Sequence, residues 1–488
     1  MATLSSAMNY ALAGLSVSSA QSAVVARNVG SAGDENYSRK SADILSLPNA
    51  GPAVAQISRS TDRLLLEKVL SASSAAAGQQ VAMDALTRMG ALTGDPQDDA
   101  SIAASLGKLQ DALRGYEQNP ANAALAGSAL EAARNVARNL NAAAEEALSI
   151  RTDADRGMAD SADRINNLLA QFKVANDSIV RGQGTAGDLA ETLDQRDAIL
   201  KLLSDEIGIR TATRPNNDTL IYAEGGAVLF EGSPRSVSFA PAGNLQDGMA
   251  GNALMIDGIP VTGSGATMPA SGGKISALAS VRDVLAPQFS QQLDQIAAAI
   301  IAAFSETDPQ LPASLPVAEG LFQGSGSVPV LSQPNAGLAS QIRINDLADP
   351  EKGGSPLLIR DGGFAGTGYV RNTEGQAGFQ TRIAELADAF DASRIFGSSC
   401  GLDGAASLKD FSVRSASWVE AKRQEGQTSL DAATTGKSRA ANALAQVTGV
   451  NIDQEMATLL DLEKSYQASS KVLSVVNAML GTLLEAVN

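Results

Sequence analysis

The chain has 488 residues, 37 basic against 53 acidic side chains, a formal net charge of −16, one cysteine and no histidine. The length suits about three domains with a sizeable core. The acid excess leaves no electrostatic footprint for nucleic acid or an anionic membrane surface, the lone Cys400 excludes an intramolecular disulfide, and the absence of histidine removes the commonest general base and metal ligand.

In chain order, Leu4, Met8, Ala11, Leu15, Ser18, Ser22, Val25 and Val29 alternate in steps of four and three. That is a heptad seam, and it predicts a helix over 1–35 with small residues along much of its contact line. Such a seam buries little area, so the helix needs a partner. Residues 36–57 read as extended, because Pro48, Gly51 and Pro52 block a helix there. A helical pattern then runs from Ser58 to Gly90, with a shorter one from Ile102 to Tyr116 ended by Asn119-Pro120.

Residues 121–181 carry an alanine-rich apolar line through Leu125, Leu130, Val136, Leu140, Ile165, Leu169, Phe172 and Ile179. With aromatic residues at 4% of the chain, this predicts thin, paired helices rather than a thick core. A further helix covers 187–206. Near Gly208 the period changes to two, and strands are expected around Thr211, Leu220, Val228, Val237, Ile256 and Ile259. A helix follows over 275–304. Residues 305–375 are rich in glycine and proline, with strand candidates at Ile342–Ile344 and Leu357–Ile359. Helices are expected at 376–396, 407–446 and 452–487.

The last of these is the longest unbroken stripe in the chain, about 50 Å at 1.5 Å per residue. It joins Ile452, Met456, Leu459, Tyr466, Leu473, Val476, Leu480, Leu483 and Leu484. Two readings are open: docking on the protein's own core, or pairing with the N-terminal helix or with other copies. Sticky helices at both ends of a chain with its bulk between them suit a subunit of a helical assembly.

Other chemistry is weak. The run Gly362–Gly368 lacks the Lys-Ser/Thr of a phosphate loop and reads as a flexible loop. The pairs Asp98-Asp99 and Glu145-Glu146 read as solvated faces. Asp153 and Asp155 lack the rest of a calcium loop. No metal, cofactor or catalytic residue is expected, and neither is an enzyme. Cys400 reads as buried. The longest apolar run, Ile296 to Phe304, is too short to span a bilayer, and no cleavable secretory signal is recognisable in the first 30 residues.

Several segments resemble the bacterial flagellar axial proteins, and among them the hook-associated family of the hook–filament junction. The C-terminal signature is carried by Gly449-Val450-Asn451-Ile452-Asp453-Gln454-Glu455-Met456, by Tyr466–Val472 and by Thr482-Leu483-Leu484. At the other end, Asn28-Val29 and Tyr37-Ser38-Arg39 are similar to the family's N-terminal segment. Asp34-Glu35-Asn36 stand where the family has Thr-Pro-Gly. Inside the chain, Arg59-Ser60-Thr61-Asp62, Asn119-Pro120, Leu193-Asp194-Gln195-Arg196-Asp197 and Gly272-Gly273-Lys274 match further family motifs.

The resemblance implies a mainly α fold with inserted β segments. A long helical, coiled-coil rod would be formed by the N- and C-terminal parts, with a small β-rich domain outside it. The expected division is 1–40 (axial helix), 41–207 (rod), 208–271 (β-rich insert), 272–304 (return to the rod), 305–375 (partly β), 376–450 (rod) and 451–488 (axial helix). The implied role is a structural adaptor between hook and filament, found outside the cell and exported without a cleaved signal. Implied partners are further copies in a helical ring, the hook protein, other hook-associated proteins, and an export chaperone on the C-terminal helix. Neither nucleic acid nor membrane insertion is expected. The interface residues are expected to be Leu4, Met8, Leu15, Val25, Asn28, Tyr37 and Arg39 with the C-terminal stripe. A hook or rod subunit and a secreted coiled-coil binding protein are the alternatives.

Overall fold

A computed structural model describes residues 2–47, 51–93, 101–182, 186–243, 245–310, 313–402 and 404–485. The chain opens with α1 (Ala2–Gly30) and a hairpin of β1 (Lys40–Leu47) and β2 (Gly51–Arg59), followed by α2 (Arg63–Thr93), α3 (Ile102–Gln118), α4 (Ala123–Arg181) and α5 (Ala186–Glu206). Two antiparallel three-stranded sheets come next: β3 (Ile209–Thr213), β4 (Thr219–Ala223) and β5 (Val228–Phe230), then β6 (Val237–Ser238), β7 (Met255–Ile256) and β8 (Ile259–Pro260). Helices α6 (Gly273–Ser280) and α7 (Ala286–Ala303) flank a π turn. Short pieces, among them α8 (Leu338–Gln341), α9 (Leu358–Asp361) and α10 (Thr381–Asp388), fill the next hundred residues, before α11 (Leu408–Thr448) and α12 (Ile452–Glu485) close the chain. The fold is mainly α with small β elements.

Helix α4 is the spine. At 59 residues it extends about 90 Å, started by the Asn122 side chain accepting from the Ala124 N–H and ended by Gly182 in the left-handed conformation. Its first half lies in one core with α3, α7 and the start of α11. Its second half lies in another with α5 and the two three-stranded sheets. The first core is thicker than the paired-helix rod predicted from the alanine line. Alanines at 126, 129, 133, 143 and 147 let neighbours approach closely, and Phe289, Phe304, Phe322, Phe390, Phe396 and Phe411 fill the space around them. Seven of the chain's 11 phenylalanines are gathered there. The alanine line signals close approach and says nothing of how many elements approach.

Several boundaries differ from those read in the sequence. Ser58 and Arg59 are strand, not helix, because β2 pairs with β1 along its whole length. The helix begins at Arg63, where the Asp62 carboxylate accepts from the Leu65 N–H at 3.0 Å. Leu358 and Ile359 are helical, within α9 (Leu358–Asp361), whereas Arg343–Ile344 is a strand. The helix over 376–396 shrinks to α10 (Thr381–Asp388). Gly375 and Gly378 precede it, and the Arg394 guanidinium turns the chain after it by donating to Ala389 O at 2.6 Å. The glycine run is tied down at two points. Gly363 and Ala365 each donate a backbone N–H to the fully buried Glu306 carboxylate at 2.8 Å, and Phe364 is buried between them.

The helix expected over 275–304 is interrupted by the π turn Val281–Leu285, which carries Arg282. Arg282 is fully buried. It pairs with Asp155 at 2.7 Å and in bidentate fashion with Asp283 at 2.8 Å, and packs so closely on Gly251 that a Cβ there would lie 2.3 Å from its Cζ. Arg151 completes the clamp by donating to Arg282 O, Gln246 O and Met249 O. These arginines fasten the 242–251 loop to α4. Arg282→Met leaves Asp155 buried without its cation and is expected to cost about 3–5 kcal/mol, read as a lower denaturant midpoint. An unchanged midpoint would refute this role.

Asp153 and Glu146 are spoken for by Arg88, at 2.9 and 2.7 Å. Asp98-Asp99 lies outside the described residues. No group of three or more metal-binding side chains occurs among the described residues, and Cys400 is fully buried. No helix among them is long and apolar enough to cross a membrane.

Candidate assembly interface

Neither hydrophobic core includes a residue of α1 or α12. The two terminal helices pack on each other. Ser18 Oγ lies 3.4 Å from Ser465 Oγ, and a Cβ on Gly14 would lie 3.0 Å from Ser469 Oγ. As the chain advances along α1, its partner residue retreats along α12, so the pair is antiparallel. Ala11, Ser18 and Val25 of the predicted seam are buried, with Leu4, Met8 and Leu15 half-buried. Small side chains at 11, 14 and 18 let the axes come close, as a seam of this kind requires.

On α12 the pattern departs from the predicted stripe. Leu459, Leu473 and Leu480 are half-buried and Val476 is buried, but the other fully enclosed seam positions are Leu462 and Glu455. Ile452, Met456, Tyr466 and Leu483 face outward, and so do Leu460, Val472, Val475 and Met479. Leu484 lies on the helix, and its side chain falls outside the described residues. One helix therefore exposes eight large apolar side chains, far more than isolated surface apolars account for. Within the single chain Tyr466, Met456 and Met479 are thus on the surface, because α1 is wide enough to cover only one side of α12.

The buried Glu455 leads to a polar joint at the base of the pair. Its Oε2 accepts from Asn28 Nδ2 at 3.0 Å and its Oε1 from Arg39 Nε at 2.6 Å. Asn28, fully buried, uses its whole amide: Nδ2 also donates to Lys40 O at 2.8 Å, while Oδ1 accepts from the Tyr37 hydroxyl at 2.8 Å and the Lys40 N–H at 3.0 Å. Donor and acceptor sides are thus both satisfied, which fixes the amide's orientation. Burial, reinforced by the nearby Asp194 carboxylate, pushes the Tyr37 hydroxyl up to about 12, so it remains a donor throughout the physiological range.

From here the joint reaches the central helices. Lys40 stacks over the Tyr37 ring at 3.9 Å and its ammonium meets Asp194 at 3.1 Å. Arg59 spans Asp194 and Asp197 of α5 at 2.9 and 2.8 Å. The Arg39 backbone donates to Thr448 O at the end of α11 and accepts from Ser60. Arg196, between the two aspartates in sequence, turns to the other side and donates to Asn217 O at 2.7 Å. The segments singled out in the sequence (Asn28, Tyr37–Arg39, Arg59, Asp194–Asp197 and the start of the C-terminal signature) therefore converge on one place. Of the joint, only Asn28, Tyr37 and Arg39 are expected from the sequence as interface residues; Arg59, Asp194, Asp197 and Glu455 stand in the quoted motifs without a site role, and Lys40 stands in none. A cleft of about 840 Å³ opens beside the joint, lined by the 31–38 loop, α5, β3 and the end of α11.

Residues 86–310 match the family described as the helical domain of the flagellar hook-associated protein FlgK. Residues 445–486 match a second, described as the C-terminal region of the flagellar basal body rod FlgEFG proteins. The first match takes just under half of the chain, and the two lie in the expected order. Residues 86–310 carry the helical domain of the FlgK-type hook-associated family. That family is one of structural flagellar proteins. The hook-associated helical match covers α3 to α7, hence the spine, and the rod-type match covers the base of the joint and α12. Among solved structures the chain is similar to the flagellar hook junction protein FlgK from Burkholderia pseudomallei, at 18% identity and a TM-score of 0.41, over 53% of this chain and 47% of that one. This chain thus matches about half the length of its solved relative. None of the curated proteins matches it in sequence.

Proposed function

We propose that this chain is a structural adaptor at the junction of hook and filament, acting mechanically and not as an enzyme. The observation that carries the reading is the outward apolar face of α12. A helix held at its base by a buried polar joint, and covered on one side only, is built to receive neighbours. In this reading 1–40 and 451–488 line the inside of a ring of copies. Segments 41–207, 272–304 and 376–450 form the rod around them, and 208–271 faces outward. The partners are further copies, the hook protein and other hook-associated proteins. Before assembly, the same apolar face is the surface that an export chaperone would cover. The site of action is outside the cell, reached without a cleaved signal.

Deletion of the gene tests the reading, scored by electron microscopy of the cell surface and by filament protein in the medium. Hooks without filaments, with filament subunits leaking into the medium, are expected. Missing hooks would reassign the chain to the rod or hook, whose C-terminal signature it shares. Intact filaments would overturn the proposal.

A further inference from the structure

We propose that an uncharged, apolar face made by Met249, Ala250, Val330, Pro334, Ala336 and Ile395 is a lateral contact between copies of this chain, away from the terminal helices. The partner is a second copy. The inference rests on the ring of copies proposed above and adds a second point of contact to it.

Three distant stretches of sequence build this face. Charged residues make up 18% of the chain, yet 248–256, 320–342 and 395–402 contain none. Tertiary contacts bring the three together. A Cβ on Gly248 would lie 3.5 Å from the Ala336 Cβ. Asn335 Nδ2 donates to Val330 O at 3.0 Å, which keeps Val330 on the same turn as Ala336. The Gly397 N–H donates to Leu331 O at 3.1 Å and ties in the segment that carries Ile395. Met249, Val330 and Ile395 are 49%, 54% and 74% exposed. The face is anchored from beneath. Arg151 donates to Met249 O, and Gln295 Nε2 to Gln333 O at 2.6 Å. The buried Asp294 accepts from the Gly337 and Ala339 N–H groups at 3.0 and 2.8 Å. A surface held in this way meets a partner at little ordering cost.

Charge decides which partner fits. A basic partner is recognised by acidic side chains, and this face presents none of its own. The acids at its border are engaged or partly covered: Asp391 accepts from Gln110 at 2.8 Å, Asp257 pairs with Arg235 at 3.3 Å, and Asp247 is half-buried against Gly337. Each copy carries a formal net charge of −16, so two copies repel wherever their acids face each other. They can close up only where charge is missing, and here it is missing over three joined stretches. Six side chains of this size cover far less than a stable interface needs by itself. The contact therefore forms only between copies that the terminal helices already hold at high local concentration.

Photo-crosslinking in assembled flagella tests the contact, with the full-length chain expressed in cells that lack the native gene. A benzophenone-bearing phenylalanine is placed at position 395, and in a parallel chain at position 479 on the outward face of α12. Illumination at 395 is expected to give a product of twice the chain mass that contains this chain alone. With Met249→Glu and Val330→Glu added, that product is expected to fall roughly tenfold or more. Both positions are exposed, so thermal unfolding and labelling at the hook tip are expected to stay unchanged. Copies that link through 479 but not through 395 refute this contact and leave the ring standing. Links at neither position overturn the ring reading and this contact with it. A 395 product that contains a different protein, or a yield that the two glutamates do not move, also refutes the proposal. Should the glutamate variant unfold, the identity of the 395 product with Met249 and Val330 in place decides the matter.

Discussion

Replacing Leu473 and Leu480 together with aspartate is expected to abolish incorporation of the chain into the flagellum while leaving its central helical body folded. Both leucines are half-buried on α12, on the side that meets α1. Around them Val472, Val475, Met479 and Leu483 stand exposed. In the free chain each new carboxylate can still turn toward water, so the local cost is modest. Between packed copies it cannot, and an unpaired buried charge costs several kcal/mol. Two such charges within two helical turns of each other exceed what a helix-sized contact supplies. The central body is insulated because neither hydrophobic core contains a residue of α1 or α12. The check is immunogold labelling of the hook tip alongside thermal unfolding of the purified variant. Loss of labelling with an unchanged main transition is expected. Normal labelling would mean that the α12 face is not an assembly surface, and a lowered main transition would mean that the terminal helices support the cores after all.

How much of this was legible in the sequence depends on the range of the interaction. The long helices were, because a seam repeats its message every three or four residues: Ala11, Ser18 and Val25 fall on the heptad contact line and are buried. The two small sheets announced themselves by a change of period near Gly208. The region from 305 to 396 did not, since its short helices and turns have no period. Its conformation depends on isolated tertiary contacts such as Glu306 accepting from Gly363 and Ala365.

The joint was half legible. Family-like motifs marked Asn28, Tyr37, Arg39, Arg59 and Asp194, but nothing in their spacing says that they meet. Asn28 and Glu455 are 427 residues apart. Glu455 stands in the C-terminal motif as well, but does not read as a seam position, because hydrophobicity alone assigns those and a glutamate takes one only when distant partners neutralise it. The same limit explains Tyr466 and Met456. A stripe shows that a helix has an apolar side, not whether this chain or its neighbour covers it.

The joint should also carry the second large effect. Asp194→Leu is expected to cost about 3–5 kcal/mol in the coupling of the terminal pair to the rod, because it breaks a buried ion pair from one side. Asp194 holds three groups: Lys40 at 3.1 Å, Arg59 at 2.9 Å and the Ser38 N–H at 3.4 Å. Arg59 retains Asp197 at 2.8 Å. The Lys40 side chain is only 2% exposed and is left with the Tyr37 ring alone, a weaker partner for a desolvated ammonium. The signature is therefore local: faster amide exchange and easier proteolysis around 37–62, with little change in either core. Asp197→Ala should do much less, since Arg59 keeps Asp194 and Asp197 is the more exposed carboxylate. Adding Lys40→Met to Asp194→Leu should recover most of the loss, because removing both charges leaves neither stranded, and the double-mutant cycle isolates that coupling. If Lys40→Met fails to rescue, Asp194 acts mainly through Arg59 and Ser38, and the hairpin is fastened to α5 by its far strand. If Asp194→Leu changes exchange around 37–62 no more than Asp197→Ala does, the joint is not what couples the terminal helices to the rod.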